Sequence, residues 1–267
     1  MKTIIRTFAV LLPVSLFLGG CSNPAKDVPA ASVEKASTNA AAPAEPAPED
    51  GTYFVFGPTN SAIAFTGSKV TRSHLGGFRN FAGEFKVVNG RLANSGNKVV
   101  IDTSSLYADD PRLTSHLKSP DFFGVAQYPT STFVSTALEE KGTNTIVTGD
   151  LTLHGATKSI SFPAKVKVAD DAVTVTGIFV INRQDFNITY PGMANDLIRK
   201  EVVLRLNVKS VPGRADFKAV EQAAQAGAAA VQAAPPPGGG GMRPGGGGGS
   251  RPAGAPRPAG GVPRPPN

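Results

Sequence analysis

Apolar residues recur at every second position over long stretches of this chain. In Val202–Val208, the residues Val202, Leu204, Leu206 and Val208 fall on one side and Val203, Arg205 and Asn207 on the other. In Ile160–Val168, Ile160, Phe162, Ala164, Val166 and Val168 oppose Ser161, Lys165 and Lys167, and in Val173–Ile181, Val173, Val175, Phe179 and Ile181 share a side with Gly177. A period of two is the mark of half-buried β-strands. Ser131–Leu138 and Thr145–Leu153 alternate less cleanly but are rich in Thr, Val and Leu, which suit a pleated surface. Earlier strands are expected at Tyr53–Phe56, Ala62–Val70, Phe78–Val88 and Lys98–Asp102. Asn89-Gly90, Lys141-Gly142 and Asp170-Asp171 supply turn chemistry between runs. The pattern predicts an all-β fold of about eight strands closed into an antiparallel barrel, which removes sheet edges and at that size can hold one small ligand.

One short helix interrupts the strands. Asp110 can cap it, Pro111 suits its first position and Lys118 its last turn. Leu113, His116 and Leu117 then share one face, and Phe122-Phe123 follow where the chain turns back into a strand. A helix with a Phe pair at the barrel mouth has the make-up of a lid. Phenylalanine dominates the aromatics, with 15 Phe against 4 Tyr and no Trp. Phe brings apolar area without a polar group to satisfy, so it suits a dry core and a dry pocket equally.

The ends differ in composition. Lys2 and Arg6 precede an apolar run, Thr7 to Leu18, too short to span a bilayer comfortably. It ends in Leu18-Gly19-Gly20-Cys21, similar to a bacterial lipobox. The expectation is a signal peptide over residues 1–20 and acylation at Cys21, giving an exported, membrane-anchored lipoprotein of the cell envelope on the periplasmic side. Ser22, in place of an aspartate, favours the outer membrane if the cell is Gram-negative. Cys21 is the only cysteine, so no intrachain disulfide can form. Residues 21–50 are rich in Ala and Pro and are expected to form a tether. Residues 51–212 are expected to form the folded domain, 213–234 an Ala-rich stretch with weak helical character, and 235–267 a disordered Pro/Gly/Arg tail.

The formal charge of +7 loses two units with Lys2 and Arg6 and is otherwise spread along the chain. The tail arginines are sparse and lack aromatics to stack on bases, so no nucleic-acid partner is expected. His74, His116 and His154 show no metal-ligand spacing. Ser104 and Ser105 follow Asp102 without a nucleophile elbow. No metal, cofactor or catalytic centre is expected.

Several blocks, in order, resemble the YceI-like family of lipid- and polyisoprenoid-binding proteins. They are Ser61–Phe65 with His74–Phe78, Ile101–Leu106, Arg112 with His116–Ser119 and Asp121–Phe123, Tyr128–Thr130 with Thr132-Phe133, Gly149–Ile160, and Ile181–Phe186. Three positions depart from the pattern: Leu113 stands where an acidic residue often follows the arginine, Gly124 replaces an Asp, and Asn187 replaces a Gly. The resemblance implies an extended lipocalin-like barrel that holds a polyisoprenoid, isoprenoid quinone or fatty-acyl lipid and catalyses nothing. The residues expected to line its cavity are Phe65, Phe78, Phe85, Leu106, Leu117, Phe122, Phe123, Phe133 and Phe162, with Arg112, His116 and Arg183 facing a polar head. A homodimer is compatible with this reading. Two other classes stay open: a packed structural envelope lipoprotein whose basic tail binds polyanions, and an envelope enzyme acting on a lipid.

Overall fold

In the computed structural model, which describes residues 23–36 and 51–233, the alternating runs become antiparallel strands. In chain order the strands are β1 (Ser32–Lys35), β2 (Thr52–Phe56), β3 (Ala62–Ser68), β4 (Ser73–Phe78), β5 (Phe81–Val88), β6 (Arg91–Leu92), β7 (Lys98–Asp102), β8 (Leu106–Ala108), β9 (Thr130–Lys141), β10 (Asn144–Leu153), β11 (Ala156–Val168), β12 (Val173–Asn182), β13 (Gly192–Met193), β14 (Asp196–Leu197), β15 (Glu201–Lys209) and β16 (Val211–Pro212). Helix α1 (Pro111–Lys118) lies between β8 and β9, and α2 (Phe217–Ala233) follows β16.

The sheet curls strongly. Its hydrogen-bonded path runs β7–β9–β10–β11–β12–β15–β3–β4–β8. Strand β8 continues β7 after a single turn, Thr103–Ser105, while β4 continues into β5, which pairs with β7. Taking β4–β5 and β7–β8 each as one bent strand, the ladder returns to where it began, in the eight-stranded manner the alternation predicts. The single strand expected over Phe78–Val88 is therefore broken. Its bend falls at Arg79-Asn80, where the Ser105 hydroxyl accepts both backbone N–H groups at 3.2 and 3.1 Å. Opposite the bend, the Asp102 carboxylate accepts from Ser104 N–H at 2.8 Å, from the Ser104 hydroxyl at 2.6 Å and from Asn80 Nδ2 at 3.1 Å. The Asp-Ser letters are thus a turn device.

The inward faces are those read from the pattern. Ile160, Phe162, Ala164, Val173, Val175, Phe179, Ile181 and Val208 are buried in one cluster with Phe54, Phe56, Phe81 and Phe85. Helix α2 occupies the stretch where weak helical character was expected. It packs on the outer side of β7 and the Thr103–Ser105 turn through Val220, Ala224 and Ala228, and Gly227 lets it approach Ser104 closely.

The expected tether is different in its described part. β11 and β12 pair only over Ala164–Val168 and Val173–Gly177, then splay apart. The N-terminal segment fills the gap: β1 pairs antiparallel with Lys158–Ser161 of β11, and Ala30 bridges Val180 of β12 in parallel. Ala31 N–H donates to Val180 O and Val180 N–H to Pro29 O, both at 2.8 Å, while Ala31 and Val33 pack on the core. Splayed strands leave backbone groups that must be paired, and this short segment satisfies them with main-chain atoms, which carry no sequence signature. Cys21, the rest of the 21–50 stretch and the 235–267 tail lie outside the described residues.

Candidate functional site: an apolar cavity beneath helix α1

A cavity of about 460 Å³ lies between the inner sheet and α1. Its walls come from Ile63 and Phe65 of β3, Phe78 of β4, Leu151 and Leu153 of β10, Ile181 of β12, and Val202 and Leu204 of β15. Its roof is Leu113, His116 and Leu117 of α1, then Phe122 and Phe123, with Ile188, Tyr190 and Ile198 from the loop between β12 and β15. The volume falls within the range of small-molecule pockets.

Local chemistry holds the roof in place. The Asp110 carboxylate accepts from Arg112 and Leu113 N–H at 2.8 and 2.9 Å, as an N-cap should, and Leu113, His116 and Leu117 all reach the cavity. After α1 the chain turns back sharply. Phe123 N–H donates to Leu117 O at 3.0 Å and Gly124 N–H to Ser119 O at 2.9 Å. Gly124 has φ 51°, which is why a glycine stands there. Asn187 likewise takes φ 61° at the end of the Arg183–Phe186 turn.

The aromatic residues form a connected set. Phe65 and Phe78 are 6.0 Å apart between centroids, Phe78 and Phe123 5.9 Å. His116 sits edge-on to both Phe122 at 5.0 Å and Tyr190 at 5.1 Å. Its Nε2–H donates to Asp121 at 2.9 Å, so its ring closes the roof with its polar edge turned to a partner. Phe65 lies flat against Gly76 of β4, an approach that any side chain at Gly76 would block.

The polar groups near the mouth are mostly engaged. Arg183, only 5% exposed, donates to the carbonyls of Arg199 at 3.1 Å, Ile188 at 2.5 Å, Tyr190 at 2.8 Å and Ile198 at 3.3 Å. Burial holds its guanidinium below its ordinary value. It clamps the 187–199 loop. His74 Nδ1–H donates to Asp109 at 2.8 Å, and Leu75 N–H to the same carboxylate at 3.2 Å. Burial works against ionising Asp109, but these hydrogen bonds outweigh it and hold the carboxyl below its ordinary range. Lys69 pairs with Asp196 and does the same there.

Of the residues singled out in the sequence, Phe65, Phe78, Leu117, Phe122, Phe123, His116 and Arg183 line the cavity. Phe85, Leu106, Phe133, Phe162 and Arg112 do not. Phe85 packs on Phe56 at 4.7 Å, Phe162 stacks on Phe179 at 4.0 Å, and Phe133 packs at a tilt against Phe162 at 5.8 Å. Leu106 is buried but away from the cavity, and Arg112 is exposed on α1. Among the lining residues not singled out, Ile181, Val202 and Leu204 carried the right signal, since all were read as inward-facing. Ile188, Tyr190 and Ile198 sit in a loop, where no period marks them.

A strongly curled antiparallel sheet with an apolar cavity beneath a short helix is the lipocalin-like fold. Within it, the chain belongs to the YceI-like domain family, which matches residues 54–210. A UPF0312 protein of Vibrio parahaemolyticus is 38% identical over 108 residues, 40% of this chain and 57% of the relative, so the chain spans little more than half of that relative's length. A UPF0312 protein of Pseudomonas putida is 33% identical over 143 residues, 49% of this chain and 74% of the relative. Two solved structures share the fold. Burkholderia cenocepacia BcnA has TM-score 0.50 and 24% identity, covering 56% of this chain and 95% of BcnA. A polyisoprenoid binding domain from Saccharophagus degradans, implicated in plant cell wall breakdown, has TM-score 0.50 and 16% identity, covering 61% of this chain and all of that domain.

Proposed function

We propose that this protein binds and carries a long apolar amphiphile, an isoprenoid or acyl lipid, in the cell envelope, without transforming it. The carrying observation is the cavity itself: about 460 Å³ enclosed by aliphatic and aromatic side chains under a capped helix. Apolar burial contributes about 25 cal/mol per Å² without directional chemistry, so such a cavity retains a chain by area and selects it by shape. In its lining the buried Ser68 hydroxyl has no partner among the described residues, while His116 is committed to Asp121 and Arg183 to four carbonyls. His116 and Arg183 serve to hold the roof and loop rather than to attack a substrate. The YceI-like family membership supports the reading, as does the shared fold of the Saccharophagus domain. The Leu18–Cys21 block adds the second half of the proposal: acylation at Cys21 anchors the carrier to a membrane on the periplasmic side, the outer membrane in a Gram-negative cell.

Native mass spectrometry of the purified protein, followed by solvent extraction, tests the first half. A stoichiometric co-purified lipid is expected, lost in Phe123→Asp. An empty protein that also fails to take up an apolar dye would overturn the reading. Metabolic labelling with a fatty-acid analogue, abolished by Cys21→Ser, tests the second.

A further inference from the structure

The cavity reaches the surface between two hairpins that hold each other. One is the β3–β4 turn, Lys69–Arg72. The other carries β13 and β14, within residues 191–200. Val70 N–H donates to Leu197 O at 3.2 Å, the Thr71 hydroxyl to Asp196 at 3.0 Å, and Lys69 pairs with Asp196. Lys69, Met193 and Asp196 belong to the cavity lining, so this double hairpin is its lip.

The lip presents large apolar side chains to solvent: Val70 is 52% exposed, Met193 63% and Leu197 51%. Set among them are Lys69, Arg72 and Arg199, and the one carboxylate of the two hairpins, Asp196, is already paired with Lys69. Apolar tips set among basic side chains suit one kind of surface. The bilayer interface accepts isolated apolar side chains, and its anionic headgroups attract the cations around them. A protein partner would need a broad complementary face, whereas these side chains stand on hairpin tips. An apolar amphiphile is also dissolved in a bilayer rather than in water, so a cavity opening inside this ring meets its cargo there.

We infer that the lip of Val70, Met193 and Leu197, flanked by Arg72 and Arg199, docks on an anionic lipid bilayer and admits cargo directly from it. This rests on the carrier reading for its purpose but not for its measurement.

The chain has no Trp, so Leu197→Trp in the full chain, with Cys21→Ser to remove acylation, places one reporter at the lip; Met193→Trp is a second. With vesicles of phosphatidylglycerol and phosphatidylethanolamine, the emission should shift to the blue and be quenched by lipids brominated in their acyl chains. Phosphatidylcholine vesicles should give much less. Adding Arg72→Gln and Arg199→Gln should weaken the response on the order of 30-fold. Emission that stays unchanged while the chain sediments with vesicles would overturn the inference, because another segment would then be binding. So would a blue shift without vesicles that grows with protein concentration, which would assign the lip to a second copy. Lipid extraction of the same samples separates the two readings: loaded protein with a silent lip sinks the docking alone, and empty protein with a responsive lip sinks the carrier alone.

Discussion

The Tyr128 and His154 rings meet edge to face at 4.6 Å, and His154 Nδ1–H donates to the Phe186 carbonyl at 3.2 Å. Three sequence blocks therefore converge at one point: the Tyr-Pro corner before β9, the His-Gly turn between β10 and β11, and the turn after β12. His154 takes φ 49° and Gly155 φ 74°, and a side chain at Gly155 would collide with the Tyr128 ring. None of these residues lines the cavity. The convergence ties three loops together outside the cavity lining.

Tyr128→Leu should accordingly lower stability by about 1–2 kcal/mol, through loss of the ring contact, yet leave lipid occupancy unchanged. Urea unfolding and extraction of bound lipid check both parts. Emptying of the cavity at unchanged stability would make Tyr128 a ligand contact.

Gly76→Ala should act the opposite way. The new methyl group collides with the Phe65 ring and with the Tyr107 backbone carbonyl of β8, so the ring is pushed towards the cavity and the β4–β8 pairing is disturbed. Occupancy should fall at least tenfold, with a stability cost of about 1–3 kcal/mol. Dye titration beside a thermal melt measures the ratio of the two effects.

Arg183 is a clamp, and its removal leaves buried carbonyls of the 187–199 loop without a donor. Arg183→Met should cost about 3 kcal/mol or more, and the loop should become the first site of proteolysis. Arg183→Lys should rescue little, because an ammonium on a flexible stem cannot reproduce the guanidinium fork. Limited proteolysis followed by mass mapping is the measurement.

The inserted strand β1 makes a separate prediction. Val33→Asp places a carboxylate among core residues opposite Ile160, which should release the segment. Hydrogen exchange at Ala31 and Val180 should then accelerate by orders of magnitude, while the β12–β15 ladder stays protected. Protection unchanged at Val180 would show that β11 and β12 close the gap by themselves.

Acid should loosen the lip at Asp196, and the edge of β4 at Asp109, in a defined window. Asp109 and Asp196 both ionise more readily in the folded chain than their ordinary value of 3.8. A carboxyl depressed in the native state contributes stability that is fully present above 3.8 and lost as pH falls through its folded value. The Leu75 and Thr71 amide protons, which donate to these carboxylates, should titrate in NMR with midpoints below 3.8. A midpoint above that would mean the pairs with His74 and Lys69 do not form.

Alternation is a local property, and the features that depend on it were readable without a structure. Lys98–Asp102 is a strand with the expected bounds, the inward faces of β11, β12 and β15 are as read, and Asp110 caps α1 as its position demanded. The roof residues Leu113, His116 and Leu117 followed from helical spacing alone. Alternation says only that a side chain points inward; it does not say what it meets there. Phe133 and Phe162 point inward into an aromatic cluster that Phe179 completes, whereas Phe65 points inward beside a glycine and lines the cavity. That difference between filled core and open cavity is set by partners more than ten residues away in the chain. The same holds for β1, whose place is decided by unpaired backbone groups on β11 and β12, and for Arg183, whose carbonyl partners gather only when the 187–199 loop folds back over it. The sequence by itself determined the long alternating strands, α1 and their inward faces; only the tertiary structure decided the insertion of β1, the bend at Arg79-Asn80 and which inward side chains surround empty space, because packing and pairing depend on contacts between segments that no local period records.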